Sequence, residues 1–283
     1  MAERLSWHAP TRVEDFVLAA GPFLEAREAL HCLTLGICSD LQAFPDGGSQ
    51  PPRFGIVTAD RDVVLTVVWT PPWQAVLSSC DDFAAISVAV EGLAGATPIG
   101  VHGPIAAARA FAEAWAAKRG AKERIYLRER VYELADVARP HGVPGALRHI
   151  RPSDRDHLIG WLIAFEEETF GERQPRDPGA MVDRALSGEG RRLYVWDDDG
   201  PVSLCGVGGL TPNGIRIGPV YTPPGLRGRG YASACVAATS QGQLDAGRRR
   251  CYLFTDVANP TSNHVYQAIG YRPVGDVDIY RVD

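Results

Sequence analysis

The run IRIGPVYTPPGLRGRG, Ile215 to Gly230, constrains this chain more than any other. An apolar stretch with the pattern of a strand ends in a Pro/Gly turn. The residues after the turn, YASACVAATSQGQLDAG, carry Tyr231, Cys235, Ala238 and Leu244 at helical spacing. A strand, a glycine-containing turn and a helix N-terminus together form an anion site. The glycines let backbone approach closely, and the first N–H groups of the helix point at whatever binds. Arg227 and Arg229 add fixed positive charge. The ligand this arrangement asks for is a phosphate, a pyrophosphate above all.

Two familiar phosphate motifs do not fit. A P-loop needs a lysine after its second glycine, and the chain's only lysines are Lys118 and Lys122. A dinucleotide fingerprint needs a third glycine in register after Gly228 and Gly230, and there is none. Taken alone, R-x-x-G-x-A is equally a Gly-rich turn that caps a helix.

The next segment separates these readings. Gly247 marks a helix C-terminus, CYLFTDV reads as a short strand, and NPTSNHVYQAIGY comes after it. Asn259 suits an N-cap, Pro260 the first helical position and Gly270 the C-terminal cap. Val265 and Ile269 should face a core. Asn259, Asn263 and Tyr266 recur at i, i+4 and i+7, which predicts a polar stripe on another face.

With these two motifs in this order, the chain from Ala146 to its end resembles the GNAT superfamily of acyl-CoA-dependent N-acyltransferases. VYTPPGLRGRGYA looks like that family's pyrophosphate-binding motif after its fourth strand, and NPTSNHVYQAIGY like the helix carrying its usual tyrosine. The resemblance implies acetyl-CoA (coenzyme A) as the cofactor. Backbone amides of Arg227, Gly228, Arg229, Gly230, Tyr231 and Ala232 would hold its pyrophosphate. The pantetheine arm would pair with the backbone of Val220, Tyr221 and Thr222, and Asn259 and Asn263 would border it. Pro219 agrees, because a proline inside a strand belongs at an edge or a bulge, and the family's fourth strand bulges and splays from its fifth.

The chemistry implied is direct attack of a neutral primary amine on the thioester. A backbone N–H near Val220 would stabilise the oxyanion, and Tyr266 would protonate the leaving thiolate as general acid. For the base, Glu166, Glu167 and Glu168 form an acidic run where relatives line the acceptor pocket; Glu167 is taken as the candidate. Asp256 and His264 are alternatives, and in many relatives a water chain replaces a base. The competing reading is a non-catalytic acyl-CoA-binding sensor or scaffold, which would have no need of Tyr266.

The first half carries no such motif. Its predicted order is a helical stretch PFLEAREALHCLTLGICSDL, a polar loop FPDGGSQPP, strands FGIVT and VVLTVVWT, and a strand QAVLSS. A helix around DFAAISVAVEGLAG, a PIGVHGP strand, an Ala-rich helix IAAARAFAEAWAAKRG and a strand IYLRERVYELADV complete it. This order resembles that of the second half. The expected fold is therefore α+β, with tandem GNAT-like domains, each a mostly antiparallel twisted sheet flanked by helices. Residues 1–140 would form a degenerate domain without a cofactor motif and residues 146–283 the acetyltransferase domain, joined through RPHGVPG. Gly103-Pro104 stands near where a first-half cofactor motif would sit, and His102 beside it reads as a satisfied or surface histidine.

At 283 residues two ordinary domains are the natural division. A net charge of -5 argues against a nucleic-acid partner. MAERLSWHAP lacks the apolar core of a signal peptide, and no stretch approaches membrane-span length. The cysteines, at 32, 38, 80, 205, 235 and 251, show no metal spacing and read as small core residues of a reducing cytoplasm. No metal site is expected. The Arg-, Ala- and Gly-rich usage suggests a bacterial genome. The expected partner is a small-molecule or peptide amine, with a homodimer also open.

Overall fold

The computed structural model describes residues 4–45 and 50–283. It divides into two compact units, one of Met1–Val131 with Val274–Asp283, the other of Tyr132–Pro273. The RPHGVPG segment falls inside the second unit. Among the described residues no helix is long and apolar enough to cross a membrane.

The first unit begins with strand β1 (Leu5–His8), which the sequence pattern does not announce. Helices α1 (Val13–Glu25) and α2 (Cys32–Ala43) come next. The single helical stretch expected from Pro22 to Leu41 is in fact the end of one helix, a turn and most of another. The core-facing residues Phe16, Ala20 and Leu24 already set the first helix going upstream of Pro22. Of the polar loop, residues 46–49 lie outside the described residues.

β2 (Arg53–Ala59) and β3 (Asp62–Trp69) pair antiparallel across a turn in which Asp60 has φ 52°. β4 (Ala75–Leu77), α3 (Ala84–Gly92) and β5 (Gly100–Pro104) form a right-sized crossover, since β4 and β5 run parallel. α4 (Ile105–Arg119) ends on Gly120, and β6 (Glu123–Leu134) runs on into the second unit. Phe111, Ala112 and Trp115 of α4 pack with Ile86, Ala89 and Val90 of α3 over Leu65, Val67 and Val101 of the sheet.

The second unit holds β7 (Ala146–His149), α5 (Arg155–Phe170), α6 (Pro178–Leu186), β8 (Arg192–Asp197), β9 (Pro201–Leu210) and β10 (Gly214–Tyr221). Then come α7 (Tyr231–Asp245), β11 (Arg250–Asp256) and α8 (Pro260–Ile269). The sheet order is β11-β10-β9-β8-β7, with the end of β6 beside β11. One face packs on α7 and α8 through Cys205, Val207, Ile215, Ile217, Cys235, Val236 and Ile269. The other packs on α5 and α6 through Leu158, Leu162, Val182 and Leu204.

The last strand, β12 (Arg272–Val282), does not stay with the unit whose helices precede it. From Val277 to Arg281 it pairs antiparallel with β5, and Arg130 of β6 clamps Asp276 through a bidentate pair at 2.7 and 2.9 Å.

In each unit a parallel β–α–β crossover is present, β4–α3–β5 in the first and β10–α7–β11 in the second. The first-unit position corresponding to the arginine–glycine turn is thus Ser78–Ala84, not Gly103-Pro104. There Asp82 accepts from the Ala84 N–H at 2.9 Å, so a carboxylate occupies the helix end. His102 is buried, 3.4 Å from Glu129.

Candidate active site

β9 and β10 pair antiparallel from Leu210 and Ile215 to Leu204 and Tyr221, with a register slip between Ile217 and Val220. Ile217 stands opposite Val207 and Val220 opposite Cys205, so the Gly218–Pro219 stretch contains one extra residue, a bulge. On its other edge β10 pairs with β11 only through Gly214, Ile215 and Arg216. Beyond Arg216 the strands part, and among the described residues the backbone of Val220 and Tyr221 has no strand on that side. This is the splay that Pro219 suggested.

The turn after β10 presents a run of idle donors. Gly228 and Gly230 have φ of 77° and 82°, a region that L side chains enter only at a cost. Gly230 is the N-cap of α7 and offers no side-chain cap. Among the described residues, no N–H from Gly228 through Ser233 donates to a backbone carbonyl; the first helical bond is Ala234 N–H to Gly230. Unsatisfied N–H groups at a helix N-terminus are what a phosphate uses. The residues present therefore fit a pyrophosphate.

The arginines are held differently. Arg227 donates through Nε to the Thr222 carbonyl at 2.8 Å and through a terminal nitrogen to Glu168 at 2.6 Å, its guanidinium lying over the Tyr221 ring. Both partners of that ion pair are about half exposed, so the pair is weak and a phosphate can compete for the arginine. Arg229 makes a long contact to the Gly225 carbonyl and lies beside the Tyr231 hydroxyl. Tyr231 donates to Asp198 at 2.6 Å, Thr222 shares a 2.9 Å hydrogen bond with Ser203, and Ala232 lies in the first turn of α7.

Tyr266 is a core residue rather than a member of an exposed polar stripe. Its ring meets that of Tyr271 edge-on, and its hydroxyl has no hydrogen bond among the described residues. Burial, and then the nearby Cys205, push its pKa well above the ordinary tyrosine value. Cys205 is the β9 partner of Val220, so the tyrosine lies close to the bulge.

The asparagines are braces. Asn259 caps α8, accepting from the Ser262 N–H at 3.0 Å. Asn263 donates to the carbonyls of Asp256 and Asn259 at 2.9 and 2.7 Å and accepts from the Tyr132 hydroxyl at 2.9 Å. Asp256 is spent on the Ala258 N–H, and His264 is exposed.

Of the acidic run, Glu167 is exposed and its carboxylate pairs with nothing among the described residues. Glu168 accepts from the Tyr221 hydroxyl at 2.9 Å, at the end of β10. Glu166 is buried between Arg173 and Arg176. Arg191 and Arg216 belong to no motif in the sequence, yet both lie at this site. The signal was the alternation of Gly206 and Gly208 on one face of β9, which leaves room for long side chains.

A sheet whose fourth strand splays from its fifth beside an uncapped helix N-terminus defines a class, that of GNAT-like folds. Residues 155–271 match the family model Acetyltransferase (GNAT) family. No curated protein sequence matches the chain. Solved structures similar to it include a Drosophila protein (TM-score 0.68, 14% identity, 99% of each chain covered). A GCN5-related N-acetyltransferase from Sphaerobacter thermophilus gives a TM-score of 0.59 at 16% identity, over 98% of this chain and 95% of that one. A tandem GNAT protein from the clavulanic acid biosynthesis pathway gives 0.57 at 15%, over 99% and 98%. The family match lies within the second unit, and the chain as a whole has a tandem GNAT-like fold.

Proposed function

We propose that the protein is an N-acetyltransferase that moves an acetyl group from acetyl-CoA to a primary amine. The observation that carries this reading is the conjunction of two features at one end of β10. The unused N–H groups of Gly228–Ser233 suit a pyrophosphate, and the free edge of β10 suits the pantetheine that leads from it. Acetyl-CoA supplies an activated acyl group, and the chain's own residues do the rest. A backbone N–H at the bulge near Val220 stabilises charge growing on the carbonyl oxygen. The C–N bond forms, the C–S bond breaks, and the proton lost by the amine ends on sulfur.

Tyr266 serves that last transfer. Burial keeps it neutral, so a proton is always available. Full transfer to a thiolate is uphill by about 2 kcal/mol on reference values alone. The tyrosine therefore acts by donating to the sulfur while the proton arriving from nitrogen replaces its own. The carboxylate that the fold ties to the end of β10 is Glu168; Glu167, the candidate from sequence, is the solvated neighbour. We assign to this pair the earlier task of taking the proton that an ammonium acceptor sheds before it attacks, with Glu168 favoured by its contact with Tyr221.

The test is thermal stability against acetyl-CoA concentration. Ligand at about 100 times its dissociation constant should add roughly 2.7 kcal/mol to the folded state. No stabilisation would remove both the enzyme and a purely binding role.

A further inference from the structure

The face of β9 and β10 that turns toward α5 and α6 is nearly bare where β10 leaves β11. Cys205, Val207, Ile215 and Ile217 enter the core under α7 and α8, so Gly206, Gly208 and Arg216 face the other way. Guanidinium groups take the space that the glycines leave. A Cβ on Gly208 would stand 3.2 Å from the Arg191 side chain, and one on Gly209 would stand 2.6 Å from Arg216 Nε. Arg191 reaches across to donate to the Gly218 carbonyl inside the bulge. Arg216 is the last β10 residue paired with β11.

Guanidinium groups gather on this face. Arg216 Nε is buried and has no hydrogen-bond partner among the described residues. From the α5–α6 connection, Arg173 and Arg176 approach the same carboxylate, Glu166, at 3.5 and 3.6 Å. That carboxylate also accepts from the Gln174 N–H. Desolvation lowers the Arg176 pKa, Glu166 opposes this and Arg216 adds to it, which puts the two arginines in one neighbourhood. A buried charged donor left without a partner is costly, and such groups persist where an incoming anion satisfies them.

We propose that this arginine group binds an anionic substituent, a carboxylate or phosphate, on the acetyl-accepting amine, with Arg216 as principal contact and Arg191 and Arg176 beside it. The inference rests on the acetyltransferase reading and narrows it from any amine to amino acids or amino-phosphates. Its place supports this. Arg216 and Arg191 lie at the root of the split between β10 and β11, on the sheet face shared with Tyr221 and Glu168, so an amine tethered there would reach the split.

The experiment measures acetyl-CoA-dependent thiol release with the common amino acids, each beside its own carboxamide, and with O-phosphoethanolamine beside ethanolamine. At least a tenfold higher kcat/KM for the anionic member of a pair is expected. Preference confined to O-phosphoethanolamine supports the same site with phosphate as the anion. Arg216→Gln should erase the preference chiefly through KM, with stabilisation by acetyl-CoA retained. If Arg216→Gln does not fold, the wild-type pairs decide alone. Equal or better turnover of the neutral members, or no turnover of any anionic amine by a protein that acetyl-CoA stabilises, overturns the proposal. Failure of acetyl-CoA to stabilise the wild type strikes the acetyltransferase reading instead.

Discussion

Tyr266 and Asn263 lie three residues apart on α8 and meet opposite fates. The tyrosine is buried with its hydroxyl unspent, while the asparagine spends its amide on Asp256, Asn259 and Tyr132. Tyr266→Phe keeps the ring packing and removes only the donor. Turnover should fall at least about a hundredfold, near 2.7 kcal/mol on the barrier, with little change in acetyl-CoA affinity by calorimetry. Unchanged turnover would end its acid role. Asn263→Ala should do the reverse, costing roughly 1–3 kcal/mol of stability in denaturant melts through stranded partners and leaving affinity near wild type. Glu168→Gln should lower kcat/KM more than Glu167→Gln. These assignments were only half legible in the sequence. The i, i+4, i+7 spacing placed Asn263 and Tyr266 on one helix, but which groups meet them comes from β6 and β9, far away in the chain.

At the scale of elements, the start of α7 joins sequence to site most directly. Gly228 and Gly230 both need positive φ, and Gly230 also lies against Val143, with a Cβ there 2.9 Å from a methyl. Gly228→Ala should cost about 1–2 kcal/mol of strain. Gly230→Ala should cost more and also weaken acetyl-CoA binding, both read by thermal shift with and without ligand. A second element-level feature is the clamp of β7 on β8. Burial would raise the Asp154 pKa, but hydrogen bonds from Arg148 and the Arg151 N–H outweigh it and hold it below the ordinary range; Asp197 is lowered by Arg148 first. Folded values below unfolded ones give stability that is present above about pH 4 and lost as pH falls through the folded values. Arg148→Gln should therefore move acid unfolding to higher pH, followed by circular dichroism. Caps, turns and the bulging proline were readable because each is settled by neighbouring residues. The break between α1 and α2 and the strand β1 were not, since their partners are distant.

For the whole molecule, the units are not cut where the sequence punctuates. Tyr132 and Leu134 of β6 belong to the second unit's core, and residues 274–283 complete the first unit's sheet beside β5. A fragment of residues 146–283, although it contains the entire family match, should be insoluble or lack a cooperative melt. It lacks two core side chains and carries a strand whose partner, β5, is missing. Truncation after Pro273 should likewise unfold the first unit by exposing the β5 edge. A well-folded 146–283 fragment would show that the exchanged strands contribute little.

The sequence by itself determined the arginine–glycine turn, the caps of α8 and the bulging proline, because backbone conformation at a turn or cap is decided within a few residues. Only the tertiary structure decided that Tyr266 is buried with a free hydroxyl, that Glu168 and not Glu167 reaches the end of β10, and that Arg191 and Arg216 share a glycine-floored face. Those outcomes depend on register and on which strand lies beside which; the alternation of Gly206 and Gly208 marks an open face, but not which distant side chains fill it.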